Sequence, residues 1–205
     1  MARYVGGLLL LLAALGAARA QQPGEAIKLT IHPAALPAPL FKYPLLPSIL
    51  EQQPGNGALL YYRTFSPEWM GWMRKPGIHD KLSDALQAPL GRLPREELGW
   101  IVDAKQFQEL DLGARREYCD WGFTTRVRSE GIGMLLPDIQ SFRTFAQVVA
   151  LRARFHLAER NFDKAAYSLQ TGLQLGKDIA NSPMLITGLV GIAVAGVQAR
   201  QLDEW

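Results

Sequence analysis

The chain has 205 residues, 48% of them apolar and 20% charged, proportions that suit one globular domain with a core of its own. Its formal charge is +3, but outside the first twenty residues, which hold Arg3 and Arg19, the balance is 20 basic against 19 acidic side chains, or +1. So even a charge gives nucleic-acid binding no electrostatic footing, and a single cysteine, Cys119, leaves no internal disulfide to stiffen the fold.

Residues 1–20 have the pattern of an export signal. Arg3 supplies the basic start, Val5 to Ala18 is an unbroken apolar run, and Ala18-Arg19-Ala20 is a small-x-small cleavage site leaving Gln21 first. The run is shorter than the ~20 residues a spanning helix needs. The expected location is therefore exported, periplasmic or extracellular, with an uncleaved anchor as the alternative. No cysteine stands near Gln21 to carry a lipid. Residues 21–55 follow as a Pro-rich segment with seven of the thirteen prolines, expected to be extended. Its Ile31, Leu36, Leu40, Phe41 and Tyr43 are too apolar for a free linker. It is expected to lie along the helices as a strap, or else to dock on a partner through Phe41-Lys42-Tyr43.

Residues 56–205 read as a helical domain, with no sustained alternation to suggest strands. Asn56 caps a helix beginning GALLYYRTF, and Ser66-Pro67-Glu68 opens a short helix with Pro at its first position. Residues 80–86 form another, capped by His79-Asp80 and closed before Pro89. Pro94 opens REELGWIVDAKQF, with Glu96 and Glu97 at the favoured end of the helix dipole. Leu110 to Trp121 is expected to be a further helix that holds Cys119 as an inert thiol among aromatics and pairs Arg116 with Asp120. The stretch GFTTRVRSEG is expected to be a loop.

The best-formed unit is a helical hairpin from Asp138 to Asn181. In its first helix Gln140, Arg143, Gln147 and Arg154 share a narrow polar stripe, while Phe142, Phe145, Val149 and Ala153 make one apolar face and Val148, Leu151 and Phe155 another. Two apolar faces require neighbours on two sides, so this is an inner helix. Arg160-Asn161 breaks it, and Asn161 caps a second helix that packs through Ala165, Leu169 and Leu173 and turns Lys164, Gln170, Gln174 and Lys177 outward. Asn181-Ser182-Pro183 ends that helix and opens another, with Ser182 as its cap. The last helix, Met184 to Val197, is apolar all round, which fits either a buried helix or a membrane segment. Its end leads into QARQLDEW, a forty-residue echo of AERNFDKA at 158–165. The array is expected to continue beyond Trp205 or to be covered there by another chain, a second copy included.

RNFDKAAYSLQTGLQL resembles the second helix of a tetratricopeptide-type repeat, with Ala165 at the small-residue position and Leu169 in place of the usual aromatic. The first helix departs from that pattern, having no Trp-x-x-Leu-Gly. The signal segment, the Pro-rich strap, GNGALLYYRTF, ARREYCDWG and the hairpin together resemble a group of uncharacterised exported bacterial proteins. The resemblance implies shape and export and brings no activity with it.

Chemistry-bearing motifs are sparse. His32, His79 and His156 are far apart, and there is no HExxH, GxSxG, SxxK or phosphate-binding GxxxxGK. Gly131-Ile132-Gly133 is half of a GxGxxG. His156 and Glu159 form an HxxE on one helix face, the one pair worth following, although a di-metal site would need a second such pair. Trp69, Trp72, Trp100 and Trp121 fit either a core or a sugar-binding cleft. No catalytic residue, metal or cofactor is expected. The fold class expected is all-α, irregular short helices leading into a tetratricopeptide-like antiparallel stack. The function expected is an exported scaffold that binds another protein, a peptide or a second copy on a concave face, with no membrane contact once the signal is removed. The alternatives are the N-terminal part of an enzyme whose catalytic residues lie elsewhere, and a membrane-associated protein held by its last helix.

Overall fold

The computed structural model describes residues 44–130, 138–182 and 184–205. Ala18, Ala20 and Gln21, Phe41-Lys42-Tyr43, His32, Gly131-Ile132-Gly133 and Pro183 lie outside the described residues. Among the described residues the protein is mostly α-helical, with one small pair of strands.

Its first elements are short because the sequence caps and interrupts them repeatedly. A 3-10 turn, Ile49–Glu51, leads into β1 (Gln53–Asn56) and then α1 (Gly57–Thr64). Asn56 Oδ1 accepts the Ala58 N–H at 3.0 Å, an N-cap. α2 (Pro67–Met73) starts on Ser66, with Pro67 in its first turn. α3 (Ile78–Gln87) is preceded by Gly77 at φ 79, so His79 and Asp80 lie within its first turn instead of capping it. The left-handed glycine makes the reversal that a side-chain cap was expected to make.

Between 94 and 121 the expected helices are shorter. REELGWIVDAKQF divides into α4 (Arg95–Leu98), a 3-10 turn (Gly99–Asp103) and α5 (Gln106–Gly113). The helix expected to run to Trp121 stops at Gly113, and Arg116–Tyr118 is a strand, β2. The cause is packing. A Cβ on Gly57 would stand 2.7 Å from the Gly113 carbonyl oxygen, and one on Gly113 would stand 2.9 Å from the Tyr61 ring. The backbones of α1 and α5 meet where neither has a side chain, and the chain beyond Gly113 is drawn alongside β1. The strands are parallel, with Gln53 opposite Arg116 and Asn56 opposite Tyr118. Arg116 Nη1 donates to the Pro54 carbonyl at 2.7 Å, so its expected pairing with Asp120 is replaced. The Asp120 N–H donates to Asn56 Oδ1 at 2.9 Å, and Asn56 Nδ2 donates to the Asp120 carbonyl at 2.8 Å. Asn56 therefore both caps α1 and stitches the two ends of this region. The expected loop that follows is helical, α6 (Phe123–Glu130).

α7 (Asp138–Ala158) and α8 (Phe162–Ala180) form the hairpin, with Arg160 left-handed at φ 58 in the turn and the Lys164 N–H donated to Asn161 Oδ1 at 3.4 Å. Phe142, Phe145, Val149 and Ala153 are buried on one side of α7, and Val148, Leu151 and Phe155 on the other. Arg154, placed by its spacing on the solvent stripe, is only 2% exposed. Its Nη1 donates to Gln201 Oε1 at 3.0 Å and Glu204 Oε1 at 3.2 Å, and its Nη2 to the Ala88 carbonyl. Segments far away in sequence cover it and supply its acceptors.

On α8, Ala165 and Leu169 are buried and Leu173 half-buried. Lys164 and Lys177 face solvent, but Gln170 and Gln174 do not. Gln170 Nε2 donates to the Pro44 carbonyl at 2.8 Å and Gln174 Nε2 to Asp178 Oδ1 at 2.8 Å. Two glutamines that amphipathic spacing turns outward are thus covered and paired.

α9 (Leu185–Ala199) is preceded by Met184 instead of Ser182, whose hydroxyl bonds the Thr187 hydroxyl within the helix. α9 runs antiparallel to α8 and also packs on α7. A Cβ on Gly176 would sit 2.9 Å from the Gly191 carbonyl oxygen and 3.1 Å from the Ala195 nitrogen, so glycine sets this close approach. Thr187, Val190, Val194 and Gln198 are buried against the hairpin. The opposite face is open: Leu185 is 82% exposed, Leu189 53% and Ile192 70%. A closing 3-10 turn, Arg200–Glu204, ends at Trp205.

The core lies where the short helices cover α7. Phe65 packs edge-to-face on Phe142 and Phe145, Trp121 meets Phe142 at 5.0 Å and stacks on Tyr61 at 5.4 Å, and Trp69 tilts against Phe145 at 5.4 Å.

Candidate functional site

Polar chemistry collects in two places on α8. The deeper is a node joining α1 to the last turn of α8. Tyr61 Oη donates to Asp178 Oδ2 at 2.7 Å, Gln174 donates to the other carboxylate oxygen, and Trp121 Nε1 donates to the Asp178 carbonyl at 2.9 Å. Burial pushes the Asp178 carboxyl up to about 6, against the opposing pull of the Tyr61 and Gln174 hydrogen bonds. Burial also holds the Tyr61 hydroxyl well above its usual range, helped by the Asp178 charge. The neighbouring Cys119 thiol is raised by burial and then by Asp178 and Asp120, and so stays protonated and unreactive. Tyr61 has no solvent-accessible surface. This node holds helices together and offers no room to a ligand.

The second place is a seam between α5, α7 and α8 that opens to solvent. Asp111 on α5 receives both ends of the Arg152 guanidinium, at 2.9 and 2.7 Å, and the Thr171 hydroxyl at 2.7 Å. Arg115 donates to Thr171 Oγ1 at 3.1 Å and Gln170 Oε1 at 3.3 Å, and lies 3.5 Å over the Tyr167 ring. Arg152 lies 4.1 Å over Phe107. The seam widens into a cleft of about 280 Å³ lined by Asp103, Asp111, Arg152, His156, Lys164, Tyr167 and Ser168 with Val102.

His156 lines this cleft and Glu159 does not. His156 is buried and its Nδ1 has no hydrogen-bond partner, with Glu159 Oε2 4.0 Å away. Glu159 turns instead to Arg95, whose Nη1 it meets at 2.8 Å. Burial, and then the Arg152 charge, lowers the His156 pKa, so the imidazole is neutral at pH 7. Ser168 Oγ donates to the Lys164 carbonyl at 2.8 Å, which commits its proton within the helix. Two cations and two carboxylates line the cleft, a neutral balance. Among the described residues no three His, Cys, Asp or Glu side chains converge on a metal position. The cleft is a polar recess without an aligned nucleophile and base.

The tryptophans divide. Trp121 is a core residue beside Tyr61. Trp69, Trp72 and Trp100 gather at a separate cleft of about 290 Å³, with Glu68, Ala104 and Gln106 completing its wall. Trp69 and Trp72 meet at 5.4 Å and 79°, and Trp72 and Trp100 at 5.0 Å and 84°. Sequence spacing places the first two on one helix face. Trp100 arrives from the 3-10 turn that replaces the expected continuous helix.

The Asp111–Arg152 pair and Asp178 have no motif. The available signal was Arg152 itself, a charge within an otherwise apolar side of α7, which demands a buried partner. No family model matches the chain, and no curated protein and no solved structure matches it.

Proposed function

We propose that the chain is an exported helical scaffold whose task is to bind another protein, and that the open face of α9 is the binding surface. The observation that carries this reading is the exposure of Leu185, Leu189 and Ile192 along one side of a helix whose other side is packed. Soluble monomers rarely leave a contiguous row of large aliphatic side chains in water, and such rows mark interaction sites. The stacking of α9 on both α7 and α8, with glycines at the closest approach, supports a tetratricopeptide-like array in which each new helix is covered by the next. The export signal read in residues 1–20 supports action outside the cytoplasm.

A photocrosslinking residue at position 189, introduced in the producing cell, tests the surface. The expected product is a discrete adduct with one protein, identified by mass spectrometry and lost in the Ile192→Glu variant. Uncrosslinked monomer alone would overturn the reading. The mass of the exported chain tests the location: it should begin at Gln21.

One observation favours a second reading. Leu185–Glu204 is long and apolar enough to cross a membrane, with a mean hydropathy of 1.4 and 33% of its window buried. On that reading the open face meets lipid. Carbonate extraction separates the two: a soluble protein supports the scaffold, and a protein retained in the membrane pellet supports the anchor.

A further inference from the structure

The cleft of Trp69, Trp72 and Trp100 is not used by the scaffold reading, and its geometry is specific. Trp69 lies at the back, almost wholly buried, while Trp72 is half-buried and Trp100 is 44% exposed. The Trp72 and Trp100 rings stand at 84° with centroids 5.0 Å apart, and Trp69 is tilted by 51° to Trp100 at 5.4 Å. Trp100 Nε1 donates to the Glu97 carbonyl at 3.1 Å, so this indole has no N–H left for a ligand and offers its π surface.

The wall of the cleft carries one charge, Glu68. Its own backbone N–H and then the Ser66 hydroxyl hold the carboxylate below its ordinary range. It takes part in no ion pair among the described residues, and no lysine or arginine lines the cleft. A carboxylate beside three indoles, with no cation of the protein's own, is complementary to a cation from outside.

We propose that this cleft binds a methylated ammonium group, with Glu68 as its counter-charge. The shape selects the ligand. A flat pyranose ring stacks best on a single broad aromatic plane, whereas perpendicular rings make a corner that suits a compact, rounded group. The ring quadrupole attracts cations to the indole face, most strongly for tryptophan. A primary ammonium has three N–H donors that must replace their water, and the one charged acceptor of the cleft, the Glu68 carboxylate, is already engaged by its own backbone N–H and the Ser66 hydroxyl. A quaternary or tertiary ammonium loses little or no hydrogen bonding on entering. The cleft, just under the usual size of small-molecule sites, holds one such headgroup and not a long ligand.

The test is a titration of the folded protein with tetramethylammonium chloride, followed through the indole N–H resonances. Saturable shifts of Trp72 and Trp100 are expected, while Trp121 and Trp205 stay still and sodium chloride at equal concentration has no such effect. Trp100→Leu should weaken binding about two- to fivefold, the loss of one partly exposed ring contact. Glu68→Gln, on an exposed side chain, should weaken it several-fold while the variant stays folded. Circular dichroism confirms that each variant is folded; if Trp100→Leu is not, Glu68→Gln and the wild-type shifts decide. No saturable shift, or equal binding by the Glu68→Gln variant, overturns the proposal. Saturation by glucose in place of tetramethylammonium overturns the ammonium and assigns the cleft to a sugar. Loss of the α9 surface in Ile192→Glu leaves this titration unaffected, so the two sites fail or succeed separately.

Discussion

Replacing Asp178 by asparagine removes a charge from the most enclosed polar node while keeping the side chain's shape. In the folded protein the Asp178 carboxyl titrates near 6, because burial penalises its charge, against 3.8 for an unperturbed group. The folded state therefore holds this proton more tightly than the unfolded chain. The stability that the proton confers is complete below about pH 4 and is lost as the pH rises through about 6. A difference of about two pH units corresponds to about 3 kcal/mol in total, of which about 2 kcal/mol falls between pH 4.5 and pH 7.5. Asparagine has no such term. Its amide oxygen can take the Tyr61 hydroxyl, and its amide nitrogen can donate to Gln174 once that amide turns over, so both hydrogen bonds survive. The assay is urea unfolding of wild type and Asp178→Asn, followed by tryptophan fluorescence at a series of pH values. Near pH 4.5 the two should be close, with the variant slightly weaker. By pH 7.5 the variant should have gained about 2 kcal/mol relative to wild type. Stability curves that run parallel across this range would refute the argument that Asp178 is charged and desolvated at neutral pH.

Gly191→Ala should cost about 1–3 kcal/mol, because the added methyl meets the Gly176 backbone and Ala180 and must push α9 away from α8; thermal unfolding measures it. Arg152→Met should cost about 3 kcal/mol, the low end for breaking a buried pair, since Arg115 remains near the stranded Asp111; denaturant titration at neutral pH reports it. Asn56→Ala removes a helix cap and the two bonds to Asp120, and should cost about 2 kcal/mol in the same measurement. Cys119 should react with iodoacetamide at pH 8 at least about tenfold more slowly in the native protein than in urea, and equal rates would contradict its raised pKa.

What the sequence makes legible here is what local chemistry decides. Asn56, Ser66 and Asn161 stand immediately before their helices, and their caps follow from side-chain oxygens within three residues of the amides they serve. The two apolar sides of α7 are visible in its spacing. The errors cluster where distant segments intervene. Cys119 leaves the expected helix because Gly57 and Gly113 meet and β1 recruits residues 116–118, and no periodicity near Cys119 carries that information. Gln170, Gln174 and Arg154 look solvent-facing because polarity is their only local attribute. The acceptors of Gln170 and Arg154, at Pro44, Gln201 and Glu204, come with the tertiary fold, and Gln174, bonded to Asp178 one turn on, is covered by it. For α9, a sequence apolar all round cannot tell the packed side from the open one. The Trp cleft is half legible: Trp69 and Trp72 are three residues apart on one helix, but Trp100 joins them only after the chain has turned through α3 and α4.

The Tyr61–Asp178 bond also bears on the order of folding. It closes a separation of 117 residues, and Phe65 likewise waits for Phe142 and Phe145. Short helices made earlier have core partners on α7 and α8, made after them. Contacts of such long separation slow the search for the native state. During that interval Tyr61, Phe65 and Trp69 stand uncovered, a surface suited to chaperones and prone to self-association. A chain cut after Glu130 would keep Tyr61, Trp69, Phe107 and Trp121 of the core but lose the α7 and α8 residues that cover them. The hairpin of α7 and α8 is the element on which the earlier helices condense, so refolding should proceed from the hairpin towards α1.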